Sequence, residues 1–143
     1  MERFKCPVGV FLILRKNNKV YLQLRKNCSF SGMFGAIGGH LDGQETIVNA
    51  LIREAKEEAG IDIKQQDLDL MTICHSNAGG KEYLQFFYQC SKWNGEVMNM
   101  EPDKCETIQL FDINLLPDNI VPYLKSAFDK FNAKIIFFEE GLE

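Results

Sequence analysis

Residues Val8 to Leu14 form an apolar run, VGVFLIL, without the alternation of a half-solvated strand. A strand of this kind is buried on both faces, so the chain must lay structure on either side of it. Lys16-Asn17-Asn18-Lys19 reads as a turn, and Val20, Leu22 and Leu24 then recur on one side of a returning strand. The two runs together predict a hairpin. With 143 residues and 45% apolar content, the chain can fill one ordinary core, and one compact domain over residues 1–143 is expected.

Residues 27 to 45 hold five glycines and almost no periodicity. Apolar structure resumes at once afterwards, so the stretch reads as a long functional loop rather than a linker. A helix then opens at Glu45 or Thr46 and runs to Ala59, with Gly60 in the position of a left-handed C-cap. Ile61 to Leu70 is a mixed connection, Met71 to His75 a short strand, and Asn77-Ala78-Gly79-Gly80 a turn. The aromatic-rich Tyr83 to Cys90 reads as a long central strand. Asn94-Gly95 marks a turn, Ile108 to Phe111 a short strand, and Pro117-Asp118-Asn119 precedes a final helix from about Ile120 to Phe131. Ile135 to Phe138 is an edge strand or a packed arm. Strands at both ends with helices between them place the fold in the α/β or α+β class, a mixed sheet covered by helices.

The chemistry concentrates in the helix beginning near residue 46. Each helical residue advances about 100°, so with Glu54 at zero, Glu58 falls near 40° and Glu57 near 300°. Leu51, Ala55, Val48, Ala59 and Ile52 fall between about 60° and 160°, and the acidic cluster therefore flanks the face turned to the core. Like charges three and four apart destabilise a helix, so helix stability does not explain the cluster. A solvated acidic face would account for the three glutamates taken alone. Hard oxygen donors gathered at one spot are also what Mg²⁺ requires, bound through one or two carboxylates with substrate phosphates and waters.

The surrounding spacing distinguishes these readings. Gly39, five residues, Glu45, seven residues, then Arg53-Glu54-Ala55-Lys56-Glu57-Glu58-Ala59-Gly60-Ile61 resembles the Nudix box at every specified position. Beyond the box, Leu22-Gln23-Leu24-Arg25, Trp93, Glu101 to Glu106 and Leu116-Pro117 look like the MutT-type branch. One departure is Ile37, where the family usually has proline before the glycine pair.

The resemblance implies a mixed β-sheet sandwiched between helices. It also implies a metal site of Glu54, Glu57, Glu58, the Gly38 carbonyl and, from a distant loop, Glu101. Catalytic work falls to Glu54 and Glu57, together with Arg53, whose ion pair with Glu45 would tether the loop and orient the carboxylates. Glu54 or Glu57 ranks first as general base, then Glu101. Gly38 and Gly39 give the loop the conformational freedom to aim a carbonyl at a metal; Gly39, Glu45 and Gly60 are the structural supports. Substrate contacts fall on Arg25, helped by Lys26, and on Gly39, His40 and Asn119. Arg25 reads equally well as a surface arginine at a strand end, and Asp118 and Asn119 read better as helix N-cap residues. Phe30, Phe34, Phe86 and Trp93 offer stacking surfaces, of which one or two at most would serve a ligand.

The implied activity is hydrolysis of the diphosphate linkage of a nucleoside triphosphate, an oxidised or non-standard dNTP among the candidates, with Mg²⁺ as cofactor and Mn²⁺ as a substitute. Hydrolysis of ADP-ribose or a nucleotide sugar is the alternative, and a non-catalytic nucleotide-binding module a third reading. The formal charge of −4 provides no footprint for a nucleic-acid polymer, which leaves a small nucleotide as the partner. The five cysteines are spread without a C-x-x-C pair and read as reduced thiols, mostly core or near-core; Cys105 sits in a polar stretch, but nothing beside it would obviously lower its pKa, which disfavours a reactive thiol there. His40 and His75 lack zinc-ligand spacing. The apolar run after Pro7 is too short to span a bilayer and has no cleavage site, so a cytoplasmic monomer or homodimer without membrane contact is expected.

Overall fold

The computed structural model describes residues 1–78 and 80–142. Gly79 of the expected turn at residues 77–80 lies outside the described residues. Val8–Lys16 (β1) and Lys19–Arg25 (β2) form the hairpin, with Arg15 opposite Val20 and Lys16 opposite Lys19. The strands then diverge. β1 joins a mixed sheet with Ile37–His40 (β4), Leu68–Ala78 (β5), Lys81–Cys90 (β6) and Phe137–Glu140 (β8). β2 pairs antiparallel with Phe34–Gly35 (β3) and Cys105–Asp112 (β7). β6 is central, parallel to β1 on one side and antiparallel to β5 on the other.

β1 is buried on both faces, and its alternate side chains enter two different cores. Val10, Leu12 and Leu14 pack with Leu51, Ala55 and Ala59 of helix α1 (Ile47–Ala59). Phe11 and Ile13 pack with Leu124, Ala127 and Phe128 of helix α2 (Pro122–Asn132). The result is a mixed sheet between two helices, in the α+β class. Each fully buried leucine on these faces contributes about 1.5–3 kcal/mol, so β1 anchors both layers.

Several expected boundaries shift for physical reasons. The glycine-rich stretch from 27 to 45 is not all loop: β3 and β4 lie within it, and β4 pairs antiparallel with β1 from Leu12–Ile37 to Gly9–His40. Backbone pairing of this kind carries no side-chain periodicity. β5 begins at Leu68, before the expected start at Met71, and β7 at Cys105, before Ile108. The tail resolves as an edge strand, β8 running parallel to β5. Helix α2 is capped at Val121 with Pro122 entering its first turn, so Asp118 and Asn119 are not its N-cap.

Candidate active site

Helix α1 begins and ends where its chemistry dictates. The Thr46 hydroxyl accepts from the Asn49 N–H at 3.0 Å, and Gly60 adopts φ 70°, returning its N–H to the last carbonyls. Leu51, Ala55 and Ala59 of the expected apolar stripe are buried, and the buried arc extends beyond it. Glu54 and Glu58 are only 9% and 7% exposed and lie within the buried face, while Glu57 stands at the rim. They are covered because β4 and the side chain of Gln23 press against this side of the helix.

Gln23 was not anticipated as a site residue. Its Nε2 donates to Glu58 Oε1 at 2.8 Å and to the Ala36 carbonyl at 3.1 Å, and the Gly38 N–H also points at Glu58 Oε1, at 3.4 Å. By alternation with Val20, Leu22 and Leu24, Gln23 falls on the more polar face of β2, with Lys19, Tyr21 and Arg25, so no sequence signal marks its burial. Burial holds the Glu58 carboxyl well above the usual carboxylate range, with the hydrogen bond and like charge of Glu54 acting in the same direction. Gln23 and the Gly38 N–H offset part of that rise.

Arg53 organises the other carboxylates. Its Nε and Nη2 grip Glu45 at 3.2 and 2.8 Å, and Nη1 reaches Glu54 at 2.9 Å and Glu57 at 3.3 Å. Asp42 lies 3.3 Å from Nη2, and Glu45 also accepts the Asp42 N–H at 3.1 Å. The forked bond from Arg53 is the main reason Glu45 stays ionised below its ordinary range, and Glu45 in turn raises the Arg53 pKa further. The loop at residues 42–45 is thereby fastened to α1.

Two compartments meet at this point. The first, about 320 Å³, is lined by Glu54, Glu57, Glu58 and Glu101, with Arg25 and Lys104 as its cations. The second, about 500 Å³, is lined by Phe11, Phe30, Tyr83 and Tyr123, with His40 and Gln85 as polar members. Gly38, Gly39 and Arg25 line both. Space requires glycine at position 38, where a Cβ would collide with the Val10 carbonyl oxygen; at Gly39 a Cβ would stand 2.6 Å from Glu54 Oε1 and that carboxyl would have to shift. The Arg25 guanidinium is braced by Ser29, whose carbonyl accepts from Nε at 2.7 Å and whose hydroxyl accepts from Nη2 at 3.2 Å.

The expected substrate-side residues are therefore largely brought together, with two exceptions. Asn119 lines neither compartment; its amide donates to the Gly32 carbonyl at 3.0 Å and so ties down the residue 27–33 loop. Lys26 pairs with Glu106 at 3.2 Å. Cys105 lines the acidic compartment but is buried, and burial raises its thiol pKa, in keeping with an unreactive thiol. Among the aromatics, Phe34 is core, Trp93 packs edge-on against Tyr21, and Phe30 alone of the four candidates lines the second compartment.

The model of the NUDIX domain family matches residues 5–132. This chain belongs to the Nudix hydrolase family. The Nudix chain is 32% identical over 129 residues to an ADP-ribose pyrophosphatase of Methanocaldococcus jannaschii, covering 90% of itself and 70% of that relative. It is 35% identical over 98 residues to an 8-oxo-dGTP diphosphatase of Proteus vulgaris, covering 68% and 86% respectively. A MutT Nudix hydrolase from Burkholderia pseudomallei superimposes with a TM-score of 0.81 at 25% identity, covering 88% of this chain and 98% of that one. Its branch is MutT-like.

Nudix hydrolases generally use a divalent metal and act on small nucleotide substrates. The donor chemistry here fits such an ion: four carboxyl groups, Glu54, Glu57, Glu58 and Glu101, line one compartment and offer hard oxygen donors. No ready-made group of three His, Cys, Asp or Glu side chains stands in metal-holding geometry among the described residues. Arg53 currently occupies Glu54 Oε1 and Glu57 Oε2. No helix among the described residues is long and apolar enough to cross a membrane.

Proposed function

We propose that this Nudix hydrolase cleaves the diphosphate linkage of a nucleoside triphosphate, releasing a nucleoside monophosphate and pyrophosphate, with Mg²⁺ as cofactor and Mn²⁺ able to replace it. An oxidised or otherwise non-standard dNTP is among the candidate substrates. The observation that carries the reading is the junction of an acidic compartment and an aromatic one across Gly38 and Gly39. Such a pair suits a metal-bound phosphate chain attached to a planar base.

Glu54, Glu57, Glu58, the Gly38 carbonyl and Glu101 would hold the ion. A bound divalent cation would neutralise charge on the bridging and departing oxygens. Arg25 and Lys104 add positive charge along the phosphates, and His40 lies at the aromatic end. Water attacks the β-phosphorus, its proton passing to a carboxylate, Glu54 or Glu57 first and Glu101 next. The new P–O bond replaces the bond from the β-phosphorus to the α,β-bridging oxygen, which leaves on the nucleoside monophosphate. Arg53, fixed by Glu45, positions the carboxylates and does not touch the substrate.

Turnover on a panel of oxidised dNTPs, ordinary NTPs, ADP-ribose and nucleotide sugars tests the substrate class. In ¹⁸O-water the label is expected in pyrophosphate; label in the monophosphate would move attack to the α-phosphorus and favour Glu101 as base. Release of inorganic phosphate alone would overturn the diphosphatase reading. ADP-ribose hydrolysis is the second reading, favoured by the 32% identity to the archaeal ADP-ribose pyrophosphatase. A ratio of kcat/KM favouring ADP-ribose would establish it.

A further inference from the structure

The floor of the aromatic compartment contains one polar group that the proposed reaction leaves unused. Gln85 lies on β6, opposite Gly9 of β1 and Cys74 of β5, and is 5% exposed. Its Oε1 accepts the hydroxyl of Ser76, itself 3% exposed, at 3.1 Å. Its Nε2 makes no hydrogen bond among the described residues, yet no fully buried side-chain nitrogen or oxygen among them lacks a partner. The amide nitrogen therefore borders the open space that Gln85 lines.

The neighbours keep that space open and flat. Gly9 has no side chain beside Gln85, and a Cβ there would come within 2.9 Å of the Phe11 ring. Tyr83 stacks on His40 with ring centroids 5.8 Å apart on one side, while Phe30 meets Tyr123 edge-on at 5.7 Å on another. A planar ring sliding between such walls turns its edge to the floor, and the exocyclic atom protruding furthest meets the amide first. With Oε1 facing Ser76, the amide turns Nε2, a donor, toward the space.

We propose that Gln85 is a specificity-determining residue that selects bases presenting a carbonyl oxygen over those presenting an amino group at the same position. This rests on the aromatic compartment receiving the base, as in the proposed function, and extends it to the chemical identity of that base. A carbonyl accepts from Nε2; an amino group leaves two donors facing each other, one of them desolvated and unpaired.

Binding of the four nucleoside monophosphates tests this without requiring hydrolysis. By titration calorimetry, the wild type should bind GMP more tightly than AMP and UMP more tightly than CMP. Gln85→Met keeps the volume and removes the amide, and should weaken GMP and UMP by roughly three- to tenfold while leaving AMP and CMP near their wild-type values. Ser76→Ala frees the amide to turn and should shrink the same ratio less, which keeps the test decisive if Gln85→Met folds poorly. A wild type without carbonyl preference, or variants that weaken all four ligands alike or none, would overturn the assignment. Carbonyl-selective binding with no turnover of any diphosphate would sink the hydrolytic reading alone; turnover with selectivity independent of Gln85 would sink only this inference.

Discussion

The two compartments share a wall but are assembled differently. The acidic one takes three of its four carboxylates and both of its glycines from a single stretch, Gly38 to Glu58, in which β4 leads through a short connection into α1. The aromatic one gathers Phe11, Phe30, His40, Tyr83, Gln85 and Tyr123 from distant parts of the chain. Charge-bearing chemistry is thus set by local geometry, where helical pitch and a short connection determine which oxygens converge. The aromatic lining depends on tertiary placement, including the strand register that brings Gly9 beside Gln85. Changes in the first region should act on the chemical step and those in the second on affinity and selectivity.

The largest separation is expected from Glu57→Gln. Removing a proposed metal ligand should lower kcat by roughly three orders of magnitude, the scale seen when one charge-stabilising group is lost. It relieves repulsion on α1 but gives up the exposed ion pair with Arg53, so the two small terms oppose and the metal-free melting temperature should stay close to that of the wild type. Near-normal turnover at saturating Mg²⁺ would remove Glu57 from the metal set.

The two glycines beside the wall sharpen the contrast. Gly39→Ala drives a methyl group against Glu54 and should cost about 10²-fold in kcat, since displacement of a reacting group by an ångström is enough. Gly9→Ala presses on the Phe11 ring instead and should raise KM by roughly tenfold while sparing kcat. Steady-state kinetics on both variants decides the matter, and equal effects on kcat would mean that the compartments are not functionally separate.

Arg53→Ala should affect function and stability together. Loss of its grip on Glu45, Glu54 and Glu57 should reduce kcat/KM by about 10–100-fold, as for other groups that orient metal ligands. It should also lower unfolding free energy by about 1–3 kcal/mol, the range for hydrogen bonds to charged groups. An inactive variant with undiminished stability would instead make Arg53 a direct contact to substrate.

The smallest effect lies away from both compartments. His75 bridges Glu82 at 2.6 Å and Glu139 of β8 at 3.7 Å, and the hydrogen bond to Glu82 is the main cause of its raised pKa. A raised folded pKa stabilises fully below the unfolded value of about 6.5 and loses that contribution as pH climbs through the folded pKa. The wild type should therefore exceed His75→Ala in melting temperature by a few degrees at acid pH, with the gap closing in alkali. Turnover at fixed pH should not change. A gap that persists in alkali would show that His75 acts through packing.

The sequence by itself determined the hairpin, both helices, the left-handed Gly60 cap and the clustering of glutamates on α1. These follow from short-range periodicity and capping, which a few neighbouring residues specify. The spacing from Gly39 to Ile61 also carried the family resemblance, because each position serves one local assembly. Only the tertiary structure decided that burial on α1 extends past the apolar stripe to Glu54 and Glu58, since β4 and Gln23 cover them from outside the helix. It also revealed β3 and β4 inside a stretch read as loop, where pairing uses backbone groups common to all residues. Asn119 suited an N-cap by residue type but serves the loop at Gly32, because α2 begins beyond it at Pro122. Gln85 could not be singled out beforehand: in sequence it is one polar residue in an aromatic strand. Its burial, its bond to Ser76 and its place beside Gly9 come from register between strands far apart in the chain, and such pairing exists only once the sheet has closed.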